Sequence, residues 1–140
     1  MFRYVCLGTQ DPARARVFYD RVLATLDIHR VDTGDEGFEL GWSGWGTYND
    51  EGREELALWL CPPFDGAPAS PGNGVMVAFN AATRAQVDAF HAAAMAAGGT
   101  SEGEPGLRPQ YNTDFYAAYV RDPDGNKLAA VHRDAPRAQP

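Results

Sequence analysis

A twenty-residue block occurs twice in this chain. YVCLGTQDPARARVFYDRVL begins at Tyr4 and MVAFNAATRAQVDAFHAAAM begins at Met76, 72 positions later. Laid on one another, an apolar strand matches an apolar strand, a helix start matches a helix start, and Phe18 matches Phe90. The same offset carries Leu56-Ala57-Leu58-Trp59 onto Leu128-Ala129-Ala130-Val131. One offset that spans a strand, a helix and a later strand implies two copies of one supersecondary unit. Two copies are too few for a solenoid. They are expected to pair about a pseudo-twofold axis with a cleft between them, and the residues facing that cleft are the place to look for chemistry.

At 140 residues the chain is expected to form one domain with an ordinary hydrophobic core. The apolar fraction of 44% fits a soluble globular protein. A formal charge of −7 argues against nucleic acid and against an anionic membrane surface as partners. No run approaches the roughly 20 apolar residues needed to cross a bilayer. MFRYVCLGTQDP has neither the apolar core nor the cleavage site of a signal peptide. Cys6 and Cys61 alone make no disulfide framework, so the expectation is a cytoplasmic protein with both thiols reduced.

The first unit reads as follows. Phe2 to Gly8 alternates as a strand. Asp11-Pro12 caps and starts a helix, along which Ala15, Phe18, Tyr19, Val22 and Leu26 form a buried stripe. Short strands are expected at 27–31 and 38–42, a loop over Ser43 to Glu55, and a strand from Leu56 to Cys61. Pro63 to Asn73 is a linker. The second unit has a strand at Val75 to Asn80, a capping box at Thr83 and Gln86, and a helix ending at Gly98-Gly99. A loop is expected over Gly103 to Pro109, strands at 115–121 and 127–132, and a tight turn at Asp122-Pro123-Asp124-Gly125 between them. The domain is taken as 1–135, with module one 1–62, linker 63–73, module two 74–133, and a tail over 134–140. By alternation Val5, Leu7, Val77 and Phe79 face the helices. Tyr4, Cys6, Met76 and Ala78 face away, as do Ala57, Trp59, Cys61, Ala129 and Val131.

FYAAYVRDPDGNKLAAV at 115–131, with its DPxG turn, and FYDRVL at 18–23 carry a resemblance to a known family. From Tyr4 to about His132 the chain resembles the vicinal oxygen chelate superfamily, which includes glyoxalase I, bleomycin-resistance proteins and extradiol dioxygenases. The resemblance implies an α+β fold of two βαβββ modules whose curled sheet forms a cup, and it makes a homodimer the expected assembly. Members with metal chemistry place His or Glu at four cup positions, which fall here on Tyr4, Ala57, Met76 and Ala129. Phenol and thioether are poor donors for a divalent ion, and alanine supplies none. The expectation is therefore no metal and no other cofactor.

Other metal or nucleophile readings are weaker. His91 reads as a packing or capping side chain, His29 as a surface residue, and His132 as pointing away from the cup. No pair of histidines has metal-ligand spacing. Glu54 and Glu55 read as solvated charge at the rim. Cys6 and Cys61 both facing the cup would offer two thiolates to a soft metal, though small buried cysteines are the commoner case. There is no G-x-S-x-G elbow and no phosphate-binding glycine loop.

What remains is an apolar hollow. Its candidate lining is Tyr4, Cys6, Ala57, Trp59, Met76, Ala129 and Val131, with Arg108 and Tyr116 as polar groups. Gln110, Asn112 and Asp114 are further polar candidates, and Trp42, Trp45 and Tyr48 are candidates to close the mouth. Arg108 either pins its own loop to a carboxylate or binds an acidic ligand. Tyr4 would act as an acid or base only beside a cation that lowers its pKa. The expected function is a metal-free small-molecule-binding protein of the glyoxalase/bleomycin-resistance type. The alternative is a lyase or dioxygenase-like enzyme of the same superfamily, using unrecognised metal ligands or none. A regulatory or interaction domain is a third class.

Overall fold

The computed structural model describes residues 1–31, 37, 40–48 and 55–134. Its elements run β1 (Tyr4–Gly8), α1 (Pro12–Ala24), β2 (Ser43–Tyr48), β3 (Glu55–Cys61), β4 (Met76–Asn80), α2 (Arg84–Ala96), β5 (Thr100–Leu107), β6 (Phe115–Arg121) and β7 (Lys127–Arg133). Two mixed sheets result, ordered β1-β3-β2 and β4-β7-β6-β5. In each, the strand before the helix lies parallel to the last strand of its half, and all other pairs are antiparallel. The architecture is α+β, with βαβββ modules and a curled, unclosed sheet.

The helices start where local chemistry dictates. Asp11 accepts a hydrogen bond from the Arg14 amide, and Pro12 follows at the first helical position. Thr83 accepts from the Gln86 amide, while the Gln86 side chain reaches back to the Ala82 amide at 2.7 Å. Helix α2 ends at Gly98, whose φ of +95° only glycine adopts readily, and the Gly99 amide closes onto the Ala94 carbonyl. A Cβ on Gly99 would sit 3.0 Å from the Phe18 ring, so this glycine lets the two halves approach. Phe18, Tyr19, Val22, Leu23, Val87, Phe90 and Ala94 are buried on the helix faces, and Leu7, Leu58, Leu60, Val120, Leu128 and Ala130 meet them from the sheets. One continuous core thus serves both halves.

Four local expectations are corrected. Residues 27–31 are not a strand. Asp27 turns the chain at φ +58°, the Ile28 amide closes onto the Leu23 carbonyl, and only Arg30 makes an isolated bridge to Trp45. The expected strand at 38–42 includes Phe38 and Glu39, which lie outside the described residues, and Leu40–Gly41 form a turn. The expected loop at 43–55 contains β2 over Ser43–Tyr48, with 49–54 outside the described residues. Its glycines are there for contact, not for bending. The Trp59 ring lies where a Cβ on Gly44 would be, 2.6 Å from Cζ3, and a Cβ on Gly46 would strike the Leu56 carbonyl oxygen. The expected loop at 103–109 is likewise mostly strand β5, bulged between Ser101 and Gly103 and between Gly103 and Gly106.

The offset of 72 holds for the helices and for the bounds of every strand it was drawn from. The pairing between strands departs from it. Tyr4 stands opposite Ala57, whereas Met76 stands opposite Lys127, and Ala129 stands opposite Ala78. The second half is slipped by two residues, which keeps every side chain on its expected face but moves it along the strand.

Candidate functional site

The faces of the sheets turned away from the helices carry the residues singled out by the sequence. In the first half these are Tyr4, Cys6 and Gly8 on β1, and Ala57, Trp59 and Cys61 on β3. Tyr4 is 55% exposed and is the direct neighbour of Ala57. Trp59 folds its ring over Gly44 on β2, and its indole N–H donates to the Glu55 carboxylate at 2.9 Å. Glu55 is therefore engaged on the same face and is not a free charge at the rim. The Sγ atoms of Cys6 and Cys61 lie 3.1 Å apart, with no disulfide between them.

In the second half the matching face holds Met76 and Ala78 on β4, Lys127, Ala129 and Val131 on β7, and Ala117 and Tyr119 on β6. Met76 is 44% exposed, but Ala129 is fully buried together with Ala117, outside the core under the helices. The Tyr119 ring stands opposite Ala129, with the Arg108 guanidinium 5.4 Å and the Lys127 ammonium 5.7 Å from its centre. Arg108 donates to the Glu104 carbonyl at 2.6 Å and lies 3.2 Å from where Cβ atoms on Gly103 and Gly106 would be. It fills the bulge of β5 and bonds a carbonyl there rather than a carboxylate.

Two aromatic expectations are corrected. Tyr116 pairs with His132 and stands on the helix side, donating to Asp88 of α2 at 2.6 Å beneath the Arg84 guanidinium. Trp45, expected at the mouth, is buried, stacks on Tyr19 at 5.3 Å and donates to Asp20. Trp42 is half exposed. Alternation along β6, counted from Ala129, identifies Tyr119 as the outward aromatic, but only once the antiparallel register is known.

The four positions to which the resemblance assigns metal ligands do not fit a divalent cation. They offer one phenol, one thioether and two methyl groups, and one of those methyls is buried opposite another alanine. Among the described residues no three His, Cys, Asp or Glu side chains are gathered as ligands. His91 is bonded to Ser101 at 2.9 Å. His132 is held between the Ala81 carbonyl and Asp134, and the carbonyl first, then the carboxylate, raises its pKa above the usual histidine range. His29 is exposed.

The turn read as a mere reversal between β6 and β7 does more. Asp122, buried, accepts from Tyr19 Oη at 2.6 Å, from Asn126 Nδ2 at 2.9 Å and from the amides of Asp124 and Asn126. Asp124 accepts from Thr9 Oγ1 at 2.6 Å, from the Gln10 amide and from Arg14, at the start of α1 where the helix field favours an anion. Asn126 Nδ2 also donates to the Gly8 carbonyl. The DPDGN turn of the second half thus clasps the strand end and helix start of the first. Tyr19 is pushed well above the usual tyrosine range, mainly by burial and then by the Asp122 charge, so it stays a donor.

A family model described as Glyoxalase/Bleomycin resistance protein/Dioxygenase superfamily matches residues 2–130. A glyoxalase/bleomycin resistance protein from Albidiferax ferrireducens is 38% identical, with 95% of this chain and 98% of that one covered, at a TM-score of 0.78. A glyoxalase/bleomycin resistance protein/dioxygenase family enzyme from Burkholderia phytofirmans is 19% identical over 94% and 97%, at 0.67. A lactoylglutathione lyase from Agrobacterium tumefaciens is 21% identical over 94% and 92%, at 0.60. The last two show likeness of fold alone. No match was found among curated proteins.

Proposed function

The chain belongs to the glyoxalase/bleomycin resistance protein/dioxygenase superfamily, and from that premise we propose that it holds a small apolar or aromatic molecule against the outer sheet faces without a metal ion. One observation carries the reading: Tyr4, Ala57, Met76 and Ala129, the positions to which the resemblance assigns metal ligands, offer no divalent-metal donor set. Tyr4, Trp59 and Met76 give apolar surface to such a ligand. Arg108 and Lys127 beside Tyr119 favour a ligand that bears an acidic group. Cytoplasmic residence is part of the reading, since two cysteines make no disulfide framework.

A homodimer belongs to the same proposal. β1 and β4 are edge strands, and Phe2, Tyr4, Val75 and Met76 are exposed along them. An unpaired apolar edge is a pairing surface. Sedimentation that shows a monomer at micromolar concentration refutes this part.

The function is tested by thermal melting with a panel of aromatic carboxylates and bleomycin, in the presence of chelator. Saturable stabilisation is expected, because a ligand at a hundred times its Kd adds about 2.7 kcal/mol. Stabilisation that appears only with added divalent metal overturns the reading. So does chelator-sensitive turnover of a glutathione hemithioacetal.

A further inference from the structure

Cys6 and Cys61 are more than two free thiols. They come from adjacent parallel strands, and register does not set them opposite one another. Cys6 faces Trp59, and Cys61 faces Gly8. Gly8 has no side chain, so no β1 side chain stands directly across from Cys61, and Ala69 and Pro63 pack there instead, 3.4 Å and 3.8 Å from where a Cβ on Gly8 would be. Trp59, across from Cys6, turns its ring away over Gly44. The thiols thus meet on the diagonal, at 3.1 Å. Cys6 is exposed on the edge strand β1, and Cys61 is partly exposed on β3 beside it.

We propose that Cys6 and Cys61 are a peroxide-oxidisable pair that closes to an intramolecular disulfide on the outer face. This stands apart from the ligand-binding reading and does not need it. Cys6, the exposed thiol, meets the hydroperoxide first. Its sulfur attacks the O–O bond, a sulfur–oxygen bond forms, and the leaving oxygen departs as alcohol or water with the proton that Cys6 gives up. Cys61 then attacks the sulfenic sulfur. The S–S bond forms, the S–O bond breaks, and hydroxide leaves as water with the Cys61 proton. Two thiols lose two electrons in all and the peroxide gains them. Closure needs the sulfurs to approach by only about 1 Å. Burial, then the hydrogen bond with Cys6, pushes the Cys61 thiol up to about 12, so in the reduced pair Cys61 keeps its proton and is not the thiol that meets the peroxide; the hydrogen-bond share of that shift ends when Cys6 is oxidised, and Cys61 gives its proton to the departing hydroxide as it attacks.

The test uses the full chain and hydrogen peroxide, with thiol titration and intact mass. Loss of both free thiols with the mass of two hydrogens removed is expected, independent of protein concentration and restored by dithiothreitol. Cys61→Ser should instead accumulate a dimedone-reactive sulfenic acid on Cys6. The proposal fails if both thiols survive, if the product is a disulfide between two chains, or if Cys6 passes to sulfinic acid while Cys61 stays free. The wild-type thiol count decides the matter even where the variant does not fold.

Discussion

The bond from Tyr19 to Asp122 offers a direct measure of how the two halves hold together. Tyr19 is completely buried and its hydroxyl lies 2.6 Å from a carboxylate that is itself only 4% exposed. Tyr19→Phe removes this bond, leaves Asp122 with the three donors of its own turn, and keeps the ring against Phe18 and Trp45. A hydrogen bond to a charged acceptor is worth about 1.5–3 kcal/mol. With a urea slope near 2 kcal/mol per M, the unfolding midpoint should fall by roughly 1 M. Asp122→Ala strips the acceptor from a buried hydroxyl and a buried amide, and should cost roughly 3–5 kcal/mol. The difference between the two variants is the share that belongs to the turn alone. The pH dependence adds a second check. The folded pKa of Tyr19 lies above its unfolded value, so its contribution is whole below about pH 10 and is lost as the pH rises beyond it. Tyr19→Phe should shallow that alkaline limb. A Tyr19→Phe midpoint within about 0.5 kcal/mol of wild type, alongside a badly destabilised Asp122→Ala, would mean that Asp122 serves its own turn and that the Tyr19 bond adds nothing to the clasp.

Two further outcomes follow from the geometry. His132 has a folded pKa raised by the Ala81 carbonyl and then by Asp134, so its stabilising effect is full below about pH 6.5 and disappears as the pH climbs through the folded value. His132→Gln should flatten stability over that window in denaturant titrations at stepped pH, and an unchanged profile refutes the assignment. Gly46→Ala forces a φ of +129° on an L side chain and drives its Cβ into the Leu56 carbonyl oxygen. A loss of about 1–3 kcal/mol is expected by thermal melting, and a neutral result would show that β2 can leave β3 at no cost.

The repeat made most of the scaffold legible. The first turns at Asp11-Pro12 and Thr83, the stripes through Phe18 and Phe90, and strands β1, β3, β4, β6 and β7 are all local patterns of capping and periodicity. The strands that did not show, β2 and β5, carry two glycines each. Glycine normally marks a break, but at Gly44 and Gly103 it makes room for the Trp59 and Tyr119 rings, and neither ring falls within the same short window of sequence. Site residues were less legible for the same reason. Parity along β1 and β3 gave Tyr4, Cys6, Ala57 and Trp59 their face. Tyr116, a polar candidate for the hollow, stands on the helix side of β6, which follows only from its pairing with His132. The buried role of Asp122 needed the packing of one half on the other, and that of Trp45 the packing of β2 on α1, which no single window of sequence contains.

The two-residue slip in the second half explains why the duplicated plan no longer gives a duplicated face. With equal registers, Tyr4 beside Ala57 would be mirrored by Met76 beside Ala129, and a symmetric pair of ligand positions would survive even with the wrong side chains. The slip sets Met76 beside Lys127 instead, and the β6–β7 register sets Ala129 opposite the Tyr119 ring, where it is buried. The first half has gone another way, clearing Gly8 and Gly44 so that two thiols and an indole lie side by side. Restoring histidine at Tyr4 and Ala57 alone would therefore leave a site with half its ligands. Adding Ala129→Glu would bury a carboxylate beneath Tyr119, at several kcal/mol. Such a variant should be destabilised before it binds zinc, and zinc binding with undiminished stability would show that the buried position is more open than its packing implies.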